Sequence, residues 1–282
     1  MFSRGPRLRA LRPTGVQGAI DHVLADPLVN ALPGARLVDL RHSLSIGQEF
    51  SIAGEERHTE GLLWHGVNVS PVSASPRSIG LFAEHLAARP RRCSSIVGER
   101  SAVASLWAQL APVWGRQIRE QRWSQPLLEA TAAPSRPLPP SGLRRAVRGE
   151  EEIVFPAAVS MFREEVGTDP LAHDGGRGYR ARVRDLITLG RTYVVVRDGR
   201  VLFKADVGAV LGPVAQIHGV WVDPARRGEG VGRAAMHDLV GLVARDHAPR
   251  VSLYVNDFNE PARRAYAAAG FTQRGELTTI LF

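Results

Sequence analysis

The sequence predicts an α/β fold with a mixed sheet (α+β in character), preceded by a second lobe of related design. Three observations lead there. A proline-rich stretch, Thr131–Ser141, carries four prolines and can neither propagate a helix nor sit centrally in a sheet. After it, two β-branched runs flank Asp198-Gly199, and Asp-Gly between such runs signals a type I′ hairpin. Then an apolar strand runs into a glycine-rich loop followed by a helix-period pattern. These divide the chain into residues 1–130, a linker over 131–141, and residues 142–282.

In the second half each element follows from its pattern. Arg144–Arg148 predicts a short strand, and Glu151–Val166 an amphipathic helix stopped at Gly167. Tyr179–Leu189 predicts a second helix, ending at Gly190. Tyr193–Val196 and Val201–Val207 form the hairpin, and Val214–Val222 a third strand. Over Gly232–His247, Met236, Leu239, Val240 and Val243 recur at helical spacing. Val251–Val255 predicts a strand, Pro261–Ala269 a helix stopped by Gly270, and Leu277–Phe282 a closing strand.

The first half echoes this order. Both halves open on an arginine-spaced strand, Leu8–Arg12 and Leu143–Arg148. A strand at Leu62–Val69, a helix at Ser78–Ala88, a strand at Ser94–Val97 and a helix at Ser101–Leu110 follow, as in a divergent internal repeat. An unrelated α/β module is the competing reading.

Composition bounds the class. The chain has 282 residues, 44% hydrophobic and 23% charged, with a net charge of +8. No apolar run reaches the roughly 20 residues that span a bilayer. The arginine-rich first fifteen residues lack the apolar segment of a secretory signal. The single cysteine, Cys93, cannot form an internal disulfide, and a reducing cytoplasm is its simplest home. It lies in an apolar stretch and reads as a small buried hydrophobe. The positive charge is almost all arginine, Lys204 being the only lysine. A basic surface attracts polyanions, but no stripe interleaves it with aromatics, which argues against nucleic acid.

The chemistry centres on Arg226-Arg227-Gly228-Glu229-Gly230-Val231-Gly232, between the strand ending at Val222 and the next helix. Such a turn leaves backbone N–H groups unpaired at the positive end of a helix dipole, and glycine lets phosphate oxygens reach them. Arg227 and Arg233 add charge suited to phosphate. A Walker loop needs Gly-Lys followed by Ser or Thr, which is absent. A dinucleotide fingerprint needs a third glycine where Arg233 stands. A glycine turn binding nothing is the remaining alternative at this point.

The pattern Arg-x-x-Gly-x-Gly, following a strand that ends Val-Asp-Pro, resembles the pyrophosphate loop of the GNAT superfamily of N-acetyltransferases. Val255-Asn256-Asp257-Phe258-Asn259, then Ala262, Tyr266 and Gly270-Phe271, resembles that superfamily's second cofactor motif. Together they cover about Val214–Phe271, and the flanking elements extend the likeness over about 143–282. The resemblance implies a GNAT fold, acetyl-coenzyme A as donor, no metal, and an amine of a small molecule or protein as acceptor. It implies that the backbone of Val220, Trp221 and Val222 pairs with the pantetheine arm. Pyrophosphate would rest on Arg227, Gly228, Glu229, Gly230, Val231, Gly232 and Arg233. Asn259, and by the same motif Asn256, would touch the cofactor, and Tyr266 would protonate the leaving thiolate.

Each of the last three has a structural reading too: Asn259 is an ideal helix N-cap, Asn256 a turn cap, and Tyr266 a packed core residue. The base is open among His218, Asp206 and a water relay, because Gln216 stands where some members carry a glutamate. Lys204 reads as a snorkelling strand residue. With no cysteine near either motif, direct attack in a ternary complex is expected.

In the first half, Val69–Ser78 occupies the place of a second loop but has no glycine. The whole chain therefore resembles tandem acetyltransferases of an actinobacterial kind, with one degenerate lobe and one cofactor site. Trp107, Trp114 and Trp123 read as packing residues of the degenerate lobe, which would help shape the acceptor cleft. A sensor or pseudoenzyme that binds acyl-coenzyme A without transferring it is the alternative function. Transfer from aminoacyl-tRNA, used by some tandem-lobe relatives, is disfavoured by the intact loop.

Overall fold

The computed structural model describes residues 7–55, 58–131, 138–172 and 174–282. In chain order, the elements are β1 (Arg7–Ala10), α1 (Val16–Leu24), α2 (Ala31–Asp39), β2 (Phe50–Glu55), β3 (His58–His65), β4 (Asn68–Val72), α3 (Pro76–Ala87), β5 (Ser95–Glu99), α4 (Arg100–Trp114) and β6 (Glu120–Ala130). They continue with β7 (Arg144–Arg145), α5 (Glu151–Val166), α6 (Arg177–Thr188), β8 (Thr192–Arg197), β9 (Arg200–Leu211), β10 (Val214–Val222), α7 (Val231–Asp246), β11 (Arg250–Tyr254), α8 (Glu260–Ala268) and β12 (Thr272–Leu281). The order from β1 to β6 is repeated, element for element, from β7 to β12.

Two compact units result. The first holds residues up to Leu128 together with Tyr254–Phe258 and Gln273–Phe282; the second holds Glu129–Leu253 and Asn259–Thr272. In the first, strands neighbour one another in the order β1-β2-β3-β4-β5-β12-β6, and in the second β11-β10-β9-β8-β7. Strand pairing is mixed within each unit. Antiparallel hairpins join β2 to β3, β3 to β4, β8 to β9 and β9 to β10, while β4–β5 and β10–β11 are parallel.

The first core gathers Leu63, Ile79, Phe82, Ile96, Leu106, Trp107 and Trp114 under α3 and α4. Cys93 lies buried in it, and burial pushes its thiol up to about 11, as expected for an inert hydrophobe. Trp107 and Trp114 are packing residues; Trp123 is more open and donates to Gln121. The second core gathers Val154, Ala158, Val183, Ile187, Val194 and Trp221 beneath α5 and α6. The Asp198-Gly199 turn takes positive φ at both residues, 50° and 69°, which closes the β8–β9 hairpin at Arg197↔Arg200.

Two expectations are adjusted. Leu62–Val69 is not one strand: it divides between β3 and β4, because Gly66-Val67 makes a hairpin there. The closing strand, expected within the second half, pairs antiparallel with β5 from Leu277↔Glu99 to Leu281↔Ser95, and so clusters with the first unit. The linker lies largely outside the described residues. At its described end, Ser141 donates through N and Oγ to Asp238 of α7, at 2.9 and 2.5 Å. Among the described residues no helix is long and apolar enough to cross a membrane.

Candidate active site

The second unit opens its sheet at one place. β10 pairs with β11 only at Val214↔Arg250, Ala215↔Val251 and Gln216↔Ser252, then runs on to Val222 without it. On its other side β10 keeps β9, but the register shifts between Gln216 and Ile217 and again between His218 and Trp221. Gly219 takes φ 58° within the second irregularity. Bulges of this kind raise local twist and turn a strand from its neighbour. The result is that from Ile217 to Val222 β10 has no partner strand on its β11 side, while its other side stays paired with β9. Val220, Trp221 and Val222 lie on this stretch.

That edge leads straight into the glycine loop. Asp223 accepts from Ala225 N at 3.0 Å and starts a single 3-10 turn, Pro224–Arg226. Gly228 and Gly230 both sit at φ 85°, a left-handed conformation costly for any residue with a Cβ, and the space beside each is open. Gly230 is the N-cap of α7 and has no side chain to offer its first turn. Ala234 N reaches Gly230 O at 3.0 Å, while the N–H groups of Val231, Gly232 and Arg233 have no acceptor among the described residues. Gly232 is needed for another reason: a Cβ there would lie 3.0 Å from Val222 Cγ2, so glycine lets α7 seat against the end of β10.

The charged members of the loop are partly committed. Arg227 donates through Nε to Val222 O at 3.2 Å and through Nη2 to Glu164 Oε2 at 2.6 Å. Glu164 also accepts from Trp221 Nε1 at 3.0 Å, so one carboxylate of α5 ties the strand to the loop. Glu229 holds Arg226 at 3.3 Å. Arg233 is exposed at the first turn of α7. Unpaired amides at the positive end of a 16-residue helix, with Arg227 and Arg233 beside them, are a donor set suited to a pyrophosphate.

The second motif divides. Asn259 caps α8, its Oδ1 accepting from Ala262 N at 3.3 Å. Tyr266 is buried on α8, its ring 6.0 Å from that of Phe271. Burial, and secondly Glu165, push its hydroxyl well above the ordinary tyrosine range, so it stays protonated. Asn256 belongs to the first unit. Its amide oxygen accepts from Gln125 Nε2 at 2.8 Å, and Gln125 in turn accepts from Thr279 at 2.6 Å. That buried chain of amide and hydroxyl gives Asn256 a structural partner neither sequence reading named.

The base candidates meet in one layer. His218 and Asp206 are register partners across β10 and β9. His218 Nε2 lies 2.8 Å from Gln216 Oε1, and its ring covers Gly208, where a Cβ would fall 2.2 Å from Nδ1. Burial first, then the positive charge of Arg182, lower its pKa to about 4 against a smaller upward pull from Asp206. Asp206 accepts from Thr192 Oγ1 at 2.8 Å and from Lys204 Nζ. Lys204 is 1% exposed, so the snorkelling expectation is overturned: β9 is covered on both faces and the ammonium is compensated inside by Asp206. With both oxygens engaged, Asp206 is the counter-ion of Lys204. Among the described residues no three His, Cys, Asp or Glu side chains gather as a metal site. Glu164 and Arg182 were missed because helix periodicity identifies a buried face but not which polar residue on its rim reaches a neighbouring strand.

Comparison with known proteins agrees with this geometry. The model of the Acetyltransferase (GNAT) family matches residues 165–271, and that of a domain of unknown function (DUF4081) matches residues 47–154. A mycothiol acetyltransferase from Nocardioides sp. is 37% identical over 84 residues, 27% of this chain and 27% of that protein. The chain thus spans about a quarter of the length of that curated relative. Two solved structures share the fold. A GNAT-family acetyltransferase from Colwellia psychrerythraea has a TM-score of 0.61 at 12% identity, covering 98% of this chain and 99% of that one. A tandem GNAT protein from the clavulanic acid biosynthesis pathway has 0.58 at 16%, covering 97% and 98%. Likeness at these identities is likeness of fold. Taken with the parted strand and the glycine loop, the family match identifies the second half of the chain as a GNAT acetyltransferase-family domain.

Proposed function

We propose that the second unit is an N-acetyltransferase that moves an acetyl group from acetyl-coenzyme A to an amine by direct attack. One observation carries this reading. The edge of β10 freed beyond Gln216 runs without interruption into a loop whose glycines stand at φ 85° before unpaired α7 amides. A pantetheine arm needs a strand edge and a pyrophosphate needs convergent N–H groups, and here the two are continuous.

Acetyl-coenzyme A supplies the thioester carbon. The chain's residues do the rest. Backbone groups of Val220 and Val222 orient the pantetheine arm, and Arg227, Arg233 and the α7 amides hold the phosphates. Tyr266, kept protonated by burial, gives its proton to the departing sulfur. His218, neutral at pH 7, accepts a proton from the amine or passes it to water. Asp206, bound to Lys204 and Thr192, sets the charge of that layer rather than taking the proton.

The low basicity of His218 also favours the second reading, a domain that binds acyl-coenzyme A without transfer. One experiment separates the two. Thiol release is followed with acetyl-coenzyme A and a panel of primary amines, the acceptor of mycothiol acetyltransferases among them. Amine-dependent release supports transfer; tight donor binding with no release from any amine supports the sensor. Absence of donor binding overturns both.

A further inference from the structure

The first unit has a cavity of its own, about 650 Å³, near the C-terminal turn of α3 and away from the N-terminal turn where a phosphate loop would stand. Arg9, Arg89, Arg91, Arg92, His65 and His85 line it, and no lining residue is acidic. The arginines bond only to neutral groups. Arg9 donates to Gly54 O at 2.9 Å, Arg89 to His85 O at 2.8 Å, and Arg91 to Gln117 Oε1 at 2.6 Å and to Cys93 O. None of the four has a carboxylate partner among the described residues, although this chain pairs many of its other arginines with one.

The bond from Arg89 to His85 O caps the end of α3, which accounts for one cation there. It does not account for four converging on a concave space. Uncompensated like charges around a cavity repel one another and destabilise the fold, and low-dielectric walls focus their field into it. The two histidines add nothing negative. Their rings are 5.2 Å apart, and His65 Nε2 bonds Ser51 Oγ at 2.9 Å. Burial first, and then the neighbouring positive charge, lower both pKa values, that of His65 to about 4. The nearby Glu49 is taken up by Arg36 and by Trp64 Nε1. Leu86 and Trp114 give the cavity an apolar wall, and its volume is that of a small-molecule site.

We propose that this cavity is a binding site for a multivalent organic anion, held by the Arg89–Arg92 cluster together with Arg9. Guanidinium forks suit phosphate and carboxylate oxygens alike, so the shared chemistry is two or more anionic groups on one small molecule. The site is independent of the loop in the second unit and stands whether or not that unit transfers acetyl groups.

The test uses the full chain, titrated with pyrophosphate and with citrate by calorimetry at constant ionic strength. Saturable binding of either is expected; stronger pyrophosphate binding assigns a phosphate-bearing ligand, stronger citrate binding a polycarboxylate. Arg92→Ala removes a side chain without a partner among the described residues and weakens binding at least threefold. The Arg89→Ala/Arg92→Ala pair weakens it at least tenfold, with an unchanged melting temperature in anion-free buffer as the fold control. Saturating anion raises the pKa of His85, followed by its ring proton resonances. Heats no larger than those of added chloride overturn the proposal. So does binding that survives the double variant and is lost in Arg227→Ala, which would put the anion on the loop instead.

Discussion

Arg227 of the glycine loop donates to Glu164 of α5 at 2.6 Å, and the same carboxylate receives Trp221 Nε1 at 3.0 Å. The cation best placed to meet a phosphate is therefore partly neutralised before any ligand arrives. Both partners of the ion pair are about half exposed, so its own contribution to stability is small, below about 1 kcal/mol. Its weight falls on binding. Glu164→Gln removes the charge and leaves one acceptor oxygen for the two donors, and should tighten acetyl-coenzyme A binding about two- to fivefold. Weaker binding, measured by calorimetry, would mean that Glu164 serves to order the loop.

Gly230→Val puts a β-branched side chain at φ 85°, in open space at the mouth of α7. The backbone strain costs on the order of 1–3 kcal/mol. Obstruction of the helix amides should cost at least tenfold in acetyl-coenzyme A affinity. Thermal melts and donor titrations on the same sample separate the two effects. Normal donor binding by a folded variant refutes the loop assignment.

Tyr266→Phe removes a hydroxyl that makes no side-chain hydrogen bond among the described residues, so no buried partner is orphaned. The melting temperature should hold while turnover falls by about 10²-fold or more, a typical weight for a general acid, with donor affinity nearly unchanged. Equal losses in turnover and affinity would make the tyrosine a packing residue.

His218 has a folded pKa near 4, below its unfolded value of about 6.5. Between those values the unfolded chain binds the extra proton, so stability rises with pH across that window. The contribution is fully present above about pH 6.5 and is lost as pH falls toward 4. His65, also near 4, acts in the same direction. In urea titrations at pH 7 and pH 4.5, His218→Gln should lose less stability on acidification than the unaltered chain. An equal loss in both would show that burial does not hold the imidazole neutral. If His218 accepts the amine proton, the acid limb of kcat/KM lies nearer 4 than 6.5.

Much of the second unit was legible because its local signals agree. Val214–Val222 and Glu151–Val166 were recognised to the residue, since each is bounded by its own breakers, Gly212-Pro213 and Asp223-Pro224 for the strand and Gly149 and Gly167 for the helix. The loop was legible for the same reason, since left-handed backbone leaves its mark as glycine. In the first unit α1, α2, β2 and β6 went unread. Ala31–Asp39 holds a proline and a glycine inside its helix, and tertiary burial of Ala31, Pro33, Gly34 and Leu37 overrides their poor propensity.

By itself, then, the sequence determined an element order, its repetition, and a glycine loop with the chemistry of a phosphate cradle. These rest on φ, periodicity and side-chain type, which are properties of short segments. Only the tertiary structure decided that β12 joins β5, that Lys204 is buried against Asp206, and that β10 leaves β11 after Gln216. It alone gathered Arg9, Arg89, Arg91 and Arg92 around one cavity. Each of these depends on strand pairing or on burial imposed by residues far apart in the chain, and no local pattern carries that information.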